Sequence, residues 1–279
     1  MLIEYIKAII YGAVEGITEW LPVSSTGHLI LLGEMLELEY FCTLGDIYRT
    51  TFDVVIQLAA VLAVVFFYKK ELIPTRKSAN EVISLWKKLI CATLPASIIG
   101  LLATLFCKTY LGVELDALLF TPVTVAVALI VYGVFFILSE HYAKGRDCRC
   151  ELNCRSALGI GFFQTLAIIP GTSRSGATIL GATLLGLRRR TAAEFSFLAA
   201  VPVIFSASLL KIAELVEYIL SGDLALPTNA VLLLLTAAAV AFAVSLSAMR
   251  FLTDFLKRHT FIPFGIYRIL LGIAVLLFM

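Results

Sequence analysis

The sequence predicts an all-α integral membrane protein, on three observations. Its 279 residues are 60% hydrophobic with a mean hydropathy of +0.97, against about half apolar in soluble domains. Six runs approach the ~20 residues that cross a bilayer as a helix: 51–68, 88–107, 117–139, 191–213, 228–253 and 260–279. Two further apolar segments, about 2–38 and 156–187, are interrupted by Pro, Gly and clustered polar side chains. Each reads as a helix–break–helix hairpin that enters the membrane and returns on the same side. Irregular backbone at that depth is tolerated only where protein or water surrounds it. The expected architecture is six transmembrane helices plus two re-entrant hairpins.

The loops test this layout. After the first span, one side receives Lys69, Lys70, Arg76, Lys77, Lys87, Lys88, Lys144, Arg146, Arg149, Arg155, Arg188, Arg189, Arg190, Arg250, Lys257 and Arg258, which is 16 of the 22 basic residues. The opposite loops hold little beyond Arg49, Lys108 and Lys211. The positive-inside rule makes the basic side cytoplasmic. The first hairpin then enters from outside and the second from the cytoplasm. Full crossing by either would scramble the charge separation. The chain reads as one membrane domain, 1–279. Repeat one is about 1–140, with spans 51–68, 88–107 and 117–139. Repeat two is about 156–279, with spans 191–213, 228–253 and 260–279. Three spans per half, an odd number, invert the second copy, an arrangement that places a site at the repeat interface.

Little else in the chain suggests a separate function. A net charge of +2 gives no reason to expect a nucleic-acid partner. The first apolar run is broken by Glu4 and Lys7 and lacks a small-residue cleavage site, so it does not resemble a cleaved signal. Cys148, Cys150 and Cys154 have a spacing that would hold zinc with His141 as a fourth ligand, but free cytosolic thiols are the simpler reading. Segment 214–227, with Glu214, Glu217 and Asp223, reads as a solvated acidic loop.

The chemistry sits in the two breaks. In the first, Glu15 and Glu19 share one helical face. Pro22 ends that helix, and Ser24 and Ser25 cap the next. Two carboxylates this close become reasonable with a divalent cation between them and a substrate, and hard oxygen ligands suit Mg²⁺ or Ca²⁺. The alternatives are a protonated Glu or a pairing with a basic residue such as Arg174. Ser24, Ser25, Thr26 and Gly27 open a helix whose N–H groups favour anions. Ser173, Arg174, Ser175 and Gly176 repeat this in the second break and add a guanidinium, which is costly in a membrane without an anionic partner. If the tips meet, two helix N-termini, an arginine and a cation converge in a site built for phosphate, with diphosphate the expected form. Ser25 and His28 lie one turn apart. They allow a serine nucleophile with histidine as base, histidine as general acid, or histidine as phosphoryl acceptor. A shift of 149 positions aligns the breaks: Gly12 with Gly161, Ser24 with Ser173, Gly27 with Gly176, Ile30 with Ile179 and Leu31 with Leu180.

At these residues the chain resembles the bacterial undecaprenyl-diphosphatase family of integral-membrane bacitracin-resistance phosphatases. Glu15-Gly16-Ile17-Thr18-Glu19 and Leu21-Pro22-Val23-Ser24-Ser25-Thr26-Gly27-His28 are similar to its glutamate-rich motif. Pro170-Gly171-Thr172-Ser173-Arg174-Ser175-Gly176-Ala177-Thr178 is similar to its second signature. Phe52-Asp53-Val54-Val55-Ile56-Gln57-Leu58 and Glu194-Phe195-Ser196-Phe197-Leu198 also resemble family segments, so the likeness runs over nearly the whole chain. The resemblance implies hydrolysis of undecaprenyl diphosphate with a divalent metal, recycling the lipid carrier of cell-wall polymers. It implies catalytic roles for Glu15, Glu19, Ser25, His28 and Arg174, with Ser24, Thr26 and Ser173 in the phosphate pocket. It implies a site opening to the outer face of the bacterial cell membrane and a polyprenyl diphosphate lipid as partner. A transporter or flippase of a phosphorylated lipid shares the architecture and is the alternative; a structural scaffold leaves both polar breaks unexplained. The oligomeric state is open, and a homo-oligomer is compatible with the layout.

Overall fold

Long apolar runs with few breakers fold as long helices. In the computed structural model the described residues are 1–74, 78–113, 115–143, 151–221 and 226–278, and every regular element among them is helical. The first break lies between α1 (Leu2–Thr18) and α2 (Ser25–Met35). There follow α3 (Glu39–Phe67), α4 (Lys69–Leu72), α5 (Ala79–Phe106), α6 (Leu115–Leu119) and α7 (Pro122–Ala143). The second break lies between α8 (Cys154–Gln164), continued by a 3₁₀ turn at Thr165–Ile168, and α9 (Arg174–Leu184). The chain ends with α10 (Arg189–Ser221), α11 (Thr228–Phe255) and α12 (Ile262–Phe278).

Five of these, α3, α5, α7, α10 and α11, are long and apolar enough to cross a membrane. The sixth expected span is α12, apolar but only 17 residues long. At 1.5 Å per residue it extends about 25 Å. Leu101, Leu102, Leu210, Leu220 and Phe278 are among many large apolar side chains left largely exposed, a surface suited to lipid and not to water. The protein is a multi-pass membrane protein.

Several element ends differ from the sequence expectation, each for a local reason. α3 begins at Glu39 instead of 51, because 39–50 stays helical across a kink at Gly45 (φ 71°, ψ −166°). α5 begins at Ala79 instead of 88, because the Ser78 side chain accepts from the Glu81 N–H and starts the helix earlier. α7 begins at Pro122 instead of 117, with proline at the first helical position, where its missing N–H costs nothing. Residues 214–221 are not a solvated loop: α10 continues through Glu214 and Glu217 to Ser221, supported by Lys211–Glu214 at 2.9 Å. No Gly or Pro interrupts the sequence there before Gly222. Cys148 and Cys150 lie outside the described residues; Cys154 is a free thiol opening α8, and His141 is exposed.

Helix pairs approach through small residues, as expected in lipid, where close backbone contact replaces the hydrophobic effect between helices. α1 packs on α11, and a side chain at Gly16 would meet the Ala241 carbonyl oxygen at 2.7 Å. α8 packs on α5, where a side chain at Gly161 would meet the Ala92 carbonyl oxygen at 2.6 Å. α7 packs on α12 through Gly133 and Gly265. At one end of α7, the buried Glu140 accepts from Arg189 Nε at 2.8 Å and from the Phe261 N–H at 2.9 Å, tying together α7, α10 and the turn before α12. Gly133→Val would drive its side chain into Gly265 O and Ile269. It should destabilise the protein by about 1–3 kcal/mol, the usual cost of overpacking, seen as a lower unfolding midpoint in detergent; an unchanged midpoint would mean that this contact does not hold α7 to α12.

Candidate active site

Glu19 still has right-handed helical angles, and its N–H bonds the Glu15 carbonyl at 3.0 Å, so α1 presents both carboxylates in one turn. Pro22 then prevents continuation. The buried Trp20 anchors the break, edge-on to Phe197 at 5.5 Å. Ser24 follows with φ 75°, and its hydroxyl accepts from the Gly27 N–H at 3.4 Å to start α2. The second break repeats this geometry. Ser173 has φ 69°, and its hydroxyl accepts from the Gly176 N–H at 3.1 Å to start α9. They are the two non-glycine residues with positive φ among the described residues. That region is unfavourable for L side chains, and such strain persists only where the surroundings over-determine it.

The tips meet. Arg174 Nη2 donates to Glu19 Oε1 at 3.1 Å, and Arg174 Nη1 donates to the Ser196 carbonyl at 2.9 Å. Ser25 Oγ donates to the other Glu19 oxygen, Oε2, at 3.0 Å. Ser175 Oγ donates to the Glu19 backbone carbonyl at 3.0 Å, joining the start of α9 to the end of α1. Glu19, Ser25, Thr26, Gln57, Ser173 and Arg174 line a cavity of about 170 Å³ with residues 167–171 of the second break beside them. Among the described residues, these groups form one polar constellation at the joined tips.

Other expected residues stand apart. Ser25 and His28 are not joined. His28 Nδ1 lies 2.7 Å from the Ser24 carbonyl, which requires a proton on that nitrogen. Its Nε2 then accepts from the Tyr267 hydroxyl at 2.7 Å, and the two rings stack 5.5 Å apart. Both nitrogens are used, and Ser25 turns to Glu19 instead. Glu15 is fully buried, and neither of its oxygens has a partner. Glu15 and Glu19 therefore differ: one is paired twice, the other not at all. Among the described residues no group of three or more His, Cys, Asp or Glu side chains is arranged to hold a metal. An unpartnered buried carboxylate is nevertheless a fitting cation ligand, since burial without compensation is costly. Ser24 serves as a cap, and Gly27 and Gly176 allow close packing against Leu129 and Arg268.

The sequence reading missed Arg268. It is fully buried in α12 and donates to Pro22 O at 3.3 Å, Gly171 O at 2.8 Å and Thr172 O at 2.9 Å, one carbonyl from the first break and two from the second. The available signal was a lone arginine in an apolar span. Gln57 lies in a segment that resembles the family, but its place in the cavity depends on how α3 is rotated about its axis against the joined tips.

A family model described as "Bacitracin resistance protein BacA" matches residues 8–274. The chain belongs to that family. Among its relatives, an undecaprenyl-diphosphatase of Acetivibrio thermocellus is 45% identical over 99% of this chain and 98% of its own. Another from Streptococcus mutans is 46% identical over 100% of this chain and 97% of its own, and one from Enterococcus faecalis is 43% identical over 99% and 97%. The paired tips therefore lie in a chain similar, end to end, to proteins named for a diphosphatase activity. Arg268→Lys keeps a charge but loses the planar fork that reaches three carbonyls. Leaving buried carbonyls unmatched should cost about 1–3 kcal/mol, read as a lower unfolding midpoint; a midpoint equal to that of the unaltered chain would mean that the breaks are held by other contacts.

Proposed function

We propose that the chain hydrolyses undecaprenyl diphosphate to undecaprenyl phosphate and inorganic phosphate. This would recycle the lipid carrier for peptidoglycan and related wall polymers and underlie bacitracin resistance. Family membership and full-length relatives carrying the diphosphatase name support the activity. The observation that carries the site is the meeting of Glu19, Ser25 and Arg174 around one small cavity at the joined tips.

The chemistry follows from the contacts. The terminal phosphoryl group occupies the cavity, with its oxygens toward Arg174 and the N-termini of α2 and α9. Ser25 Oγ attacks phosphorus and its proton passes to Glu19, which it already contacts. The bond from phosphorus to the bridging oxygen breaks, and undecaprenyl phosphate departs. Water then cleaves the phosphoserine, releasing orthophosphate and restoring the hydroxyl. The contact from Ser25 to Glu19 favours this over a Ser25–His28 dyad. His28, held by Ser24 and Tyr267, instead fixes the first turn of α2. Fixed positive groups aimed at developing charge account for most of the rate in such transfers. A divalent cation, Mg²⁺ or Ca²⁺, would be held by Glu15 with Glu19 beside it, and would neutralise charge on the diphosphate.

The membrane layout belongs to the same reading: six spans, two re-entrant hairpins and an inverted repeat in the bacterial cell membrane, with the site open to the outer face. Cross-packing of the halves supports the repeat, since α1 leans on α11 while α8 leans on α5. The shared serine caps and the one-sided basic loops support it as well.

Arg174→Ala and Glu19→Gln should each lower phosphate release from undecaprenyl diphosphate by about 10²–10³-fold, the usual cost of one preorganised charge contact. Full activity in folded Arg174→Ala would overturn the site. Chelation should abolish turnover, with recovery on adding Mg²⁺ or Ca²⁺. Glu15→Gln should weaken cation binding measured by calorimetry, and unaltered binding would remove Glu15 as a ligand.

A further inference from the structure

The reaction makes two anions with different fates. The lipid phosphate keeps its tail in the bilayer, whereas orthophosphate has no route through hydrocarbon and needs a polar path to water. A cavity of about 700 Å³ adjoins the small one and shares Thr26, Gln57 and Phe120 with it. Its polar wall is one face of α3: Asp46, Arg49, Thr50, Asp53 and Gln57, spaced as a continuous stripe of helical turns. Gln57 lies at the inner end, while Asp46, Arg49 and Thr50 are exposed at the outer end. Another large cavity, about 670 Å³, is bounded by Phe135, Leu138, Phe163, Leu180 and Leu184 and offers an ion almost nothing polar. Arg49 rests over the Phe41 ring at 5.7 Å and forms no ion pair among the described residues.

We propose that the α3 cavity is the exit route for orthophosphate and that Arg49 is the residue that receives the ion on its way out. The inference rests on placing bond cleavage at the joined tips. A guanidinium alone would hold phosphate bidentately and slow its departure. Asp46 and Asp53, one turn to either side of Arg49 and facing the same space, offset that attraction and keep the stop brief. The stripe thus passes the anion outward without trapping it.

Orthophosphate itself is the probe, used as a product inhibitor of the purified full-length chain acting on undecaprenyl diphosphate. An Arg49→Ala variant should raise its inhibition constant by about three- to fivefold, the scale of one solvent-accessible charge contact, and Arg49→Glu should raise it further. Asp46→Asn should shift it the opposite way, to tighter inhibition. The opposed signs separate an electrostatic route from general damage, since damage moves both variants alike. Equal inhibition constants in all forms, absence of inhibition included, or shifts of one sign overturn the proposal. Failure of the site reading would show elsewhere, as activity retained in Arg174→Ala.

Discussion

A carboxylate and a guanidinium 155 positions apart in sequence, Glu19 and Arg174, hold the two broken segments together. Both are nearly buried, at 7% and 11% side-chain exposure, where stripping water from two charges can outweigh their attraction. Additional bonds shift that balance: Ser25 donates to the second carboxylate oxygen and the Ser196 carbonyl accepts from the guanidinium, whose Nε stays unpartnered. Removing either partner would leave the other charged, buried and unmatched at a chain break. The pair is at once the junction of the fold and part of the wall of the small cavity between the tips.

Around it, the backbone of each break is secured from the opposite side. Arg268 draws carbonyls of both tips toward itself, while Ser24 and Ser173 each satisfy an N–H of the helix they begin. Broken helices in a membrane leave polar backbone groups that lipid cannot satisfy. Two arginines thus divide the task, Arg174 taking a carboxylate and Arg268 taking carbonyls. Strain at the two serines is tolerated because each hydroxyl is held by the cap it makes to the helix that follows.

Much of this was legible in the sequence. Hydropathy marked the long helices, and Pro22 and Pro170 beside serine clusters marked the breaks, because breakers and caps act locally. That Arg174 needs an anion was also readable, since an arginine in an apolar setting demands one, but the sequence left Glu15, Glu19 and a phosphate as equal candidates, and packing selects Glu19. What stayed hidden depends on rotation and long-range packing. The spacing of Ser25 and His28 suggested a dyad, but α2 turns one toward Glu19 and the other toward Tyr267. The equal spacing of Glu15 and Glu19 concealed that one is paired and the other bare. Arg268 carries no local motif; its meaning comes from three carbonyls about a hundred or more residues away in sequence. Helix ends slipped where a single cap, such as Ser78, or a lone kink, such as Gly45, outweighed average hydropathy.

The Glu140 knot has a consequence for motion. It fastens α7, α10 and the turn before α12 by charge-assisted bonds at the end of the molecule where the basic loops gather. Exposing the cavity alternately to both compartments would require that end to splay, breaking the knot and leaving a carboxylate in a dry interior. A second tie joins α1 to the start of α3, where the buried Glu4 accepts from the Glu39 N–H at 2.9 Å and from Lys7 at 2.8 Å. Any rocking of the packed helices would have to break such ties and leave a buried carboxylate unmatched.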